Sequence, residues 1–345
     1  MRATTKGLLI AFFIGLAILL ALPGVRGQNN TFAMRVGYFP NITHTQALVG
    51  RATGRFEKAL GPEAHIQWQT FNAGPSAIEA IFAGAIDMTY IGANPAITGY
   101  VRSHGEALRI VAGGCSGGAA LVVRANSGIQ KPEDFHGKKI ASPQLGNTQD
   151  VALRNWLRIH DLKTADKGGD VQVLPIANAD QLTLFLKGQL DASWAPEPWA
   201  TRLVHEGNGR ILLDERDLWP NREFATTVLV VRTDFLKQHP DLVRKWLAEH
   251  VELTNWISAN LAAAKETANQ QIKNDTAKAL PRTIVDEAFT RLQITYDPMR
   301  MALLSSAKSA YDLGFLGHEK LDLSGLYSLD LLNEVLRAKK LKPVQ

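Results

Sequence analysis

Five short stretches of the chain have the residue types and spacing to hold a small anion. They are Pro40-Asn41-Ile-Thr43-His44-Thr45, Asn72-Ala-Gly74-Pro75-Ser76, Gly92-Ala-Asn94-Pro95, Leu145-Gly146-Asn147-Thr148-Gln149 and Ala195-Pro-Glu197-Pro198. Each mixes Gly or Pro with short polar side chains and then runs into a helical pattern. Such a loop leaves free backbone N–H groups at the positive end of a helix dipole, where negative charge is stabilised. Asn41, Thr43, His44, Ser76, Asn94, Asn147, Thr148 and Gln149 add neutral donors, which can hold an anion without a buried counter-charge. The same side chains are also ordinary helix caps, and capping alone would account for them. Asn94 in particular reads as an N-cap, with Pro95 as the first helical residue, and Pro75 fits a first turn.

Other residues have more than one reading. His44 is a ligand contact or a solvated loop residue. Glu197 repels a simple anion, so it pairs with an amine on the ligand, with Arg202 or with water. The first of these favours a zwitterionic or larger ligand over nitrate. Trp194 and Trp199 either wall the pocket, which gives the ligand an apolar part, or pack in the core. Gly114–Gly118 fits Gly-x-Ser-x-Gly, but a nucleophile elbow needs a helix after the serine, and here a strand pattern follows. The run 113–118 reads instead as a flexible crossover.

The elements that position these loops follow a repeat. Gly84-Ala-Ile-Asp87-Met-Thr-Tyr90 and Gly188-Gln-Leu-Asp191-Ala-Ser-Trp194 each take the chain from a helix into a buried strand, and each leads to a loop with Pro. Two copies this far apart indicate two similar lobes rather than a solenoid. In the first, strands at 34–38, 65–71, 86–91 and 108–112 alternate with helices at 46–56, 77–83 and 95–104, which predicts a mostly parallel sheet covered by helices. In the second, strands at 119–124, 139–142, 171–174, 190–194 and 210–213 accompany helices at 151–160, 180–186 and 198–205. Residues 225–232 read as a returning strand. Helices at 241–264, 283–292, 299–313 and 329–338 follow, with apolar stripes suited to packing on the first lobe. The expected division is a leader at 1–27, the first part of lobe I at 32–122, lobe II at 123–224, and the rest of lobe I at 225–345.

The 345 residues suffice for two domains with real cores, and 46% hydrophobic with 21% charged residues is ordinary for a globular chain. Lys and Arg number 38 against 33 Asp and Glu. Arg2, Lys6 and Arg26 lie in the leader, so the remainder is nearly balanced and nucleic acid is not an expected partner. Arg2 and Lys6, the apolar run 8–22 and the small residues before Gln28 predict a cleaved signal peptide. Cys115 is the only cysteine, so no internal disulfide forms and no lipid-attachment cysteine follows the apolar run. Export into a Gram-negative periplasm, without a lipid anchor, is the expectation. No metal cluster or phosphate loop is visible, and no cofactor is expected.

In this order, Arg35-Val-Gly-Tyr-Phe-Pro-Asn-Ile-Thr-His44, Phe82-Ala-Gly-Ala-Ile-Asp87, Leu145-Gly-Asn-Thr-Gln-Asp-Val-Ala-Leu153 and Trp194-Ala-Pro-Glu-Pro-Trp199 resemble the nitrate/sulfonate/taurine group of ABC-transporter solute-binding proteins. The resemblance covers 34–235 closely and the helical tail loosely. It implies an α/β fold of the type II periplasmic binding class: two α/β lobes, a central cleft, and a helical C-terminal extension packed on the first lobe. It also implies a monomer that captures a small organic anion, an aliphatic sulfonate or taurine-like compound first, and delivers it to ABC permease subunits. Phe39, Gly74, Pro75, Pro95, Gly146, Trp194 and Pro198 would join the polar residues above around the ligand. Nitrate or bicarbonate, an aromatic acid and a thiamine-pyrimidine precursor are alternative ligands. A periplasmic sensor module is an alternative role. An enzyme of the pyrimidine-synthase kind is disfavoured, because the fungal synthases carry a Cys-rich motif and this chain has one cysteine and a leader.

Overall fold

Residues Phe32–Gln345 are described by the computed structural model; the expected leader lies outside them. The alternation of strand and helix patterns builds the first sheet. Its elements are β1 (Phe32–Tyr38), α1 (Thr45–Thr53), α2 (Arg55–Leu60), β2 (Ala64–Thr70), α3 (Gly74–Phe82), β3 (Met88–Ile91), α4 (Ala93–Arg102) and β4 (Leu108–Gly117). The second sheet is built by β5 (Ala119–Arg124), β6 (Lys139–Ser142), α5 (Thr148–Ile159), β7 (Gln172–Pro175), α6 (Asn178–Leu186), β8 (Ala192–Pro196), α7 (Trp199–His205) and β9 (Gly209–Asp214). The chain returns through β10 (Ala225–Arg232) and continues as α8 (Thr233–Gln238), α9 (Pro240–Ala259), α10 (Leu261–Thr276), α11 (Arg282–Ala288), β11 (Leu292–Ile294), α12 (Arg300–Asp312) and α13 (Asp330–Ala338).

The strand orders are β2-β1-β3-β10-β4-β11 and β7-β6-β8-β5-β9. Apart from the added β11, the two sheets are the same arrangement. In each, a strand from the lobe crossing (β10 or β5) lies antiparallel between its neighbours, so the sheets are mixed rather than mostly parallel. The repeated Gly-x-x-Asp does the same work twice. Gly84 and Gly188 both take positive φ, 64° and 68°, at a helix end where a Cβ would be strained. The Asp87 carboxylate accepts the Arg35 backbone N–H at 2.8 Å, and that of Asp191 accepts the Lys139 N–H at 2.9 Å. Each acid therefore ties the end of one helix–strand link to the start of the strand beside it.

Both faces of each sheet are buried, which is why the central strands are apolar at almost every position. Along β5, Leu121 and Val123 enter one core with Trp156 and Trp194, whereas Ala120 and Val122 enter another with Phe185 and Leu203. In the first lobe, Val36, Leu48, Phe56 and Trp246 pack on one face, and Ile78, Ile97, Ile110 and Val228 on the other.

Three expectations are corrected. The run 113–118 is strand, not a flexible crossover, as far as Gly117: Gly113 pairs with Val228, and Cys115 pairs with Thr227 on one side and Ile294 on the other. The cause is β11, in a stretch whose start was read as the end of a helix, which supplies hydrogen bonds along this edge. The chain changes sheet only at Gly117-Gly118, so the expected 122/123 boundary falls inside β5. The helix expected over 241–264 is two, broken at Asn260, whose backbone and side-chain N–H groups both donate to the Trp256 carbonyl. The C-terminal helices α9, α10 and α13 pack on the first lobe. In addition, α11 reaches α7, and α12 packs on both α4 and α5, so the extension also touches lobe II.

Candidate anion-binding cleft

Between the lobes, the N-terminal ends of α3, α4, α5 and α6 converge on one small cavity. Ala73 and Gly92 hold extended backbone just before α3 and α4, so the first N–H groups of those helices are left for other partners. At α5 the Asn147 side chain caps the helix, accepting from Gln149 N at 2.8 Å and Asp150 N at 3.2 Å. Four helix ends each present positive potential here. None of the described residues lining the cavity is Lys, Arg, Asp or Glu.

His44 lines the cavity and is neutral. Burial pushes its imidazole down to about 3, and its ring stacks on Phe39 with centroids 4.5 Å apart. Its Nδ1 accepts the Phe39 N–H at 3.4 Å, so the neutral ring carries its proton on Nε2. His44 is therefore a buried donor and not a solvated loop residue. Two further groups stand out. The Thr227 hydroxyl and the Asn178 side-chain oxygen are buried without a hydrogen-bond partner, and both residues line the cavity. Native proteins rarely leave such groups unpaired, and a bound ligand is one remedy.

The structure brings Phe39, Asn41, Thr43 and His44 together with Gly74, Pro95, Asn147, Thr148 and Gln149 around this space. The others lie elsewhere. Ser76 Oγ donates to the Ala73 carbonyl at 2.8 Å, and Pro75 and Gly146 line a separate surface hollow. Asn94 is not a cap, because the helix starts one residue earlier with Gly92 in the cap position. Its side chain is turned to α12, where Ser306 Oγ donates to Asn94 Oδ1 at 2.7 Å. Trp194 is wholly buried in the lobe II core, and its indole N–H donates to Glu215 at 2.7 Å. Trp199 bridges the lobes, donating from Nε1 to Asn41 Oδ1 at 3.0 Å. Glu197 is fully buried and its oxygens are occupied by Thr201 N and Oγ1, both at 3.0 Å, and by Arg291 Nε at 2.6 Å. Arg202 pairs with Glu206 instead. The reading of Glu197 against Arg202 is thus replaced by Arg291, a residue of the C-terminal extension. Pro198, joined to Glu197 by a cis bond, precedes α7 and does not line the cavity.

Asn72, Gly92 and Pro196 line the cavity from the candidate loops without being individual candidates, and Asn178, Thr226 and Thr227 line it from outside those loops. Asn178 had a signal. It begins α6 as Gly74 begins α3, at the same offset that relates Gly84 to Gly188. Thr226 and Thr227 lie in a strand and had none.

The space open to the centre of a water molecule is about 20 Å³, so the lobes stand closed on one another and must part for a ligand to enter. Contact across the gap is close. The Asn94 N–H lies 3.4 Å from Thr148 Oγ1, and a Cβ built on Gly92 would lie 2.4 Å from the same oxygen. The arrangement has the donors to hold a small group rich in acceptors between the two lobes.

Residues 27–272 match the NMT1-like family, well over half of the chain. The chain belongs to that family. A taurine-binding periplasmic protein of Escherichia coli is 25% identical over 246 residues, spanning 70% of this chain and 72% of that protein. Among solved structures, the periplasmic nitrate-binding protein of Synechocystis superposes with a TM-score of 0.76 at 16% identity, covering 90% of this chain and 89% of its own. The periplasmic aliphatic sulphonate-binding protein of Escherichia coli gives 0.69 at 22% identity, covering 86% and 97%. This member of the NMT1-like family therefore has the periplasmic binding protein fold: two α/β lobes with a cleft between them.

Proposed function

We propose that the protein is the periplasmic solute-binding component of an ABC importer and that its cleft captures a small organic anion, an aliphatic sulfonate or taurine-like compound, for delivery to the permease. The observation that carries this is the convergence of four helix N-termini and neutral donors, the uncharged His44 among them, on a cavity whose described lining holds no Lys, Arg, Asp or Glu. Such a site stabilises negative charge through partial positive charges alone. A carboxylate in the wall would repel the same ligand, and the structure turns Glu197 away into an ion pair. The relatives' names agree in class with this reading: taurine, aliphatic sulfonates and nitrate are oxyanions or carry an oxyanion head.

The unpaired Asn178 side-chain oxygen can only accept, so it favours a ligand that brings a donor such as an ammonium as well as an anionic head over bare nitrate. No catalytic constellation is needed for this role. Ser116, inside β4, accepts the Phe224 N–H at 3.3 Å and is not a nucleophile on a turn. The test is a thermal-shift screen of the secreted protein against taurine, short alkanesulfonates, nitrate, bicarbonate, aromatic acids and aminopyrimidines. A ligand that binds only the folded state raises the melting temperature. Sulfonates or taurine should raise it most. A shift confined to aminopyrimidines, or to none of these compounds, would overturn the proposal.

A further inference from the structure

A second space lies beside the cleft. It is a slot of about 190 Å³ between α5, α12 and the segment that carries the chain from β9 back to β10. On α5, Val151, Asn155, Trp156 and Ile159 face it at helical spacing. On α12, Ala302, Leu303 and Ser306 face it from the other side. The crossing segment closes it with Trp219 and Phe224, whose rings stack with centroids 5.5 Å apart. Thr148 lines both slot and cleft, and Ala225 in the slot is followed directly by Thr226 in the cleft.

One ionisable side chain lines this space. Glu215 is 1% exposed and its bonding partners are neutral: Trp194 Nε1 at 2.7 Å and the Trp219 side chain. Its sequence neighbours give it no counter-charge. Arg216 is held by Asp214, the second acid beside it, and Arg222 by Asp214 and Asp217. Among the described residues, no Lys, Arg or His lines the slot. Burial pushes the Glu215 carboxyl up to about 7, as it does for an acid without a cation. A buried carboxylate against aromatic walls is stabilised by a partner that brings both a positive charge and hydrocarbon.

We propose that this slot is a second ligand site, separate from the anion cleft, that takes a small apolar or aromatic amine. The ammonium sits on Glu215 and the hydrocarbon lies against Trp219, Trp156 and Leu303. The inference does not rest on the identity of the cleft ligand. One wall, α12, lies past the residues matched to the family, so the slot depends on a part of this chain that the family match does not cover.

The test uses benzylamine with the whole secreted protein at pH 8, read by tryptophan fluorescence and calorimetry. Saturable binding of one equivalent is expected. Benzyl alcohol, which keeps the ring and loses the charge, should bind about tenfold or more weakly, and Glu215→Gln should weaken benzylamine by a similar factor. Ala152→Phe, which fills the slot from α5, should abolish it. Thr227→Val, in the cleft, should leave it within about twofold. If Glu215→Gln fails to fold, the alcohol comparison and Ala152→Phe decide. Absence of saturable binding, equal binding of amine and alcohol, or benzylamine binding that survives Ala152→Phe and disappears in Thr227→Val would each overturn the assignment.

Discussion

Replacing Gly92 by Ala tests whether the closed arrangement of the lobes is the binding state. Gly92 has φ −65° and ψ 150°, a conformation that alanine adopts freely, so the backbone opposes nothing. The added Cβ would lie 2.4 Å from Thr148 Oγ1 on the opposite lobe, and 3.5 Å from Thr148 Cβ. Unstrained contacts between such atoms lie near 3.5 Å or beyond, so the overlap is on the order of 1 Å. Thr148 is 4% exposed and has little room to turn away. Overpacking of this kind costs about 1–3 kcal/mol. With the lobes apart, the two residues no longer meet, so the cost falls on the closed form alone. Ligand affinity should therefore fall by about 5- to 150-fold, while the melting temperature of the unliganded protein stays within about 1 °C. Calorimetry with the strongest anion from the screen gives the first number and a thermal melt the second. Thr148→Ala removes the clashing oxygen, so a double-mutant cycle should return a coupling of the same size. Unchanged affinity in Gly92→Ala, or a loss equally present in the unliganded melt, would refute the closure argument.

Three further outcomes follow from the same structure. Thr227→Val keeps the side-chain shape and removes an unpaired hydroxyl, so calorimetry should show anion affinity reduced by about 10-fold with folding stability unchanged or slightly higher. Arg291→Met strands the fully buried Glu197 and should cost about 3–5 kcal/mol in denaturant unfolding, whereas Arg202→Met, whose partner Glu206 is part-exposed, should cost about 1 kcal/mol or less. Equal costs would contradict the latch between α7 and the C-terminal extension. For Glu215, the folded-state value near 7 lies above the ordinary 4.5, so its contribution to stability is full below pH 4.5 and is lost as pH rises through about 7. The stability of wild type relative to Glu215→Gln should fall by roughly 1.4 kcal/mol per pH unit across that window. Burial lowers His44 to about 3 and His250 to about 4, which gives the opposite slope, present above 6.5 and lost in acid. Those groups are common to both proteins and cancel in the difference, so a flat difference between pH 5 and 7 would show that Glu215 is not held as described.

What the sequence revealed and concealed has a single physical basis, the range over which each signal acts. Gly84-x-x-Asp87 and Gly188-x-x-Asp191 were legible because a left-handed helix end and the strand after it are local events, and the two copies predicted two lobes of one design. The returning strand was legible as a run of apolar β-branched residues, and its limits at Ala225 and Arg232 match. Asn94 and Asn147 look alike in sequence, each an Asn before a helix. Only tertiary packing separates them, since Asn147 caps α5 while Asn94 lies one residue inside α4 and bonds Ser306 more than two hundred residues away. Glu197 read as a misfit in an anion site because its neutraliser, Arg291, comes from the other end of the chain. The same distance hid Thr227, which faces the cleft from a strand that local patterning marks only as buried. The placements of Asn94, Glu197 and Thr227 all depend on the return of the chain to the first lobe after the second is complete. That return places β10 at the floor of the cleft, Arg291 against Glu197 and α12 against α5. The C-terminal third therefore does more than cover the first lobe: it bonds lobe II at Glu197 and at α5, so opening and closing must strain or release those contacts, and substitutions there should alter ligand affinity without touching the ligand.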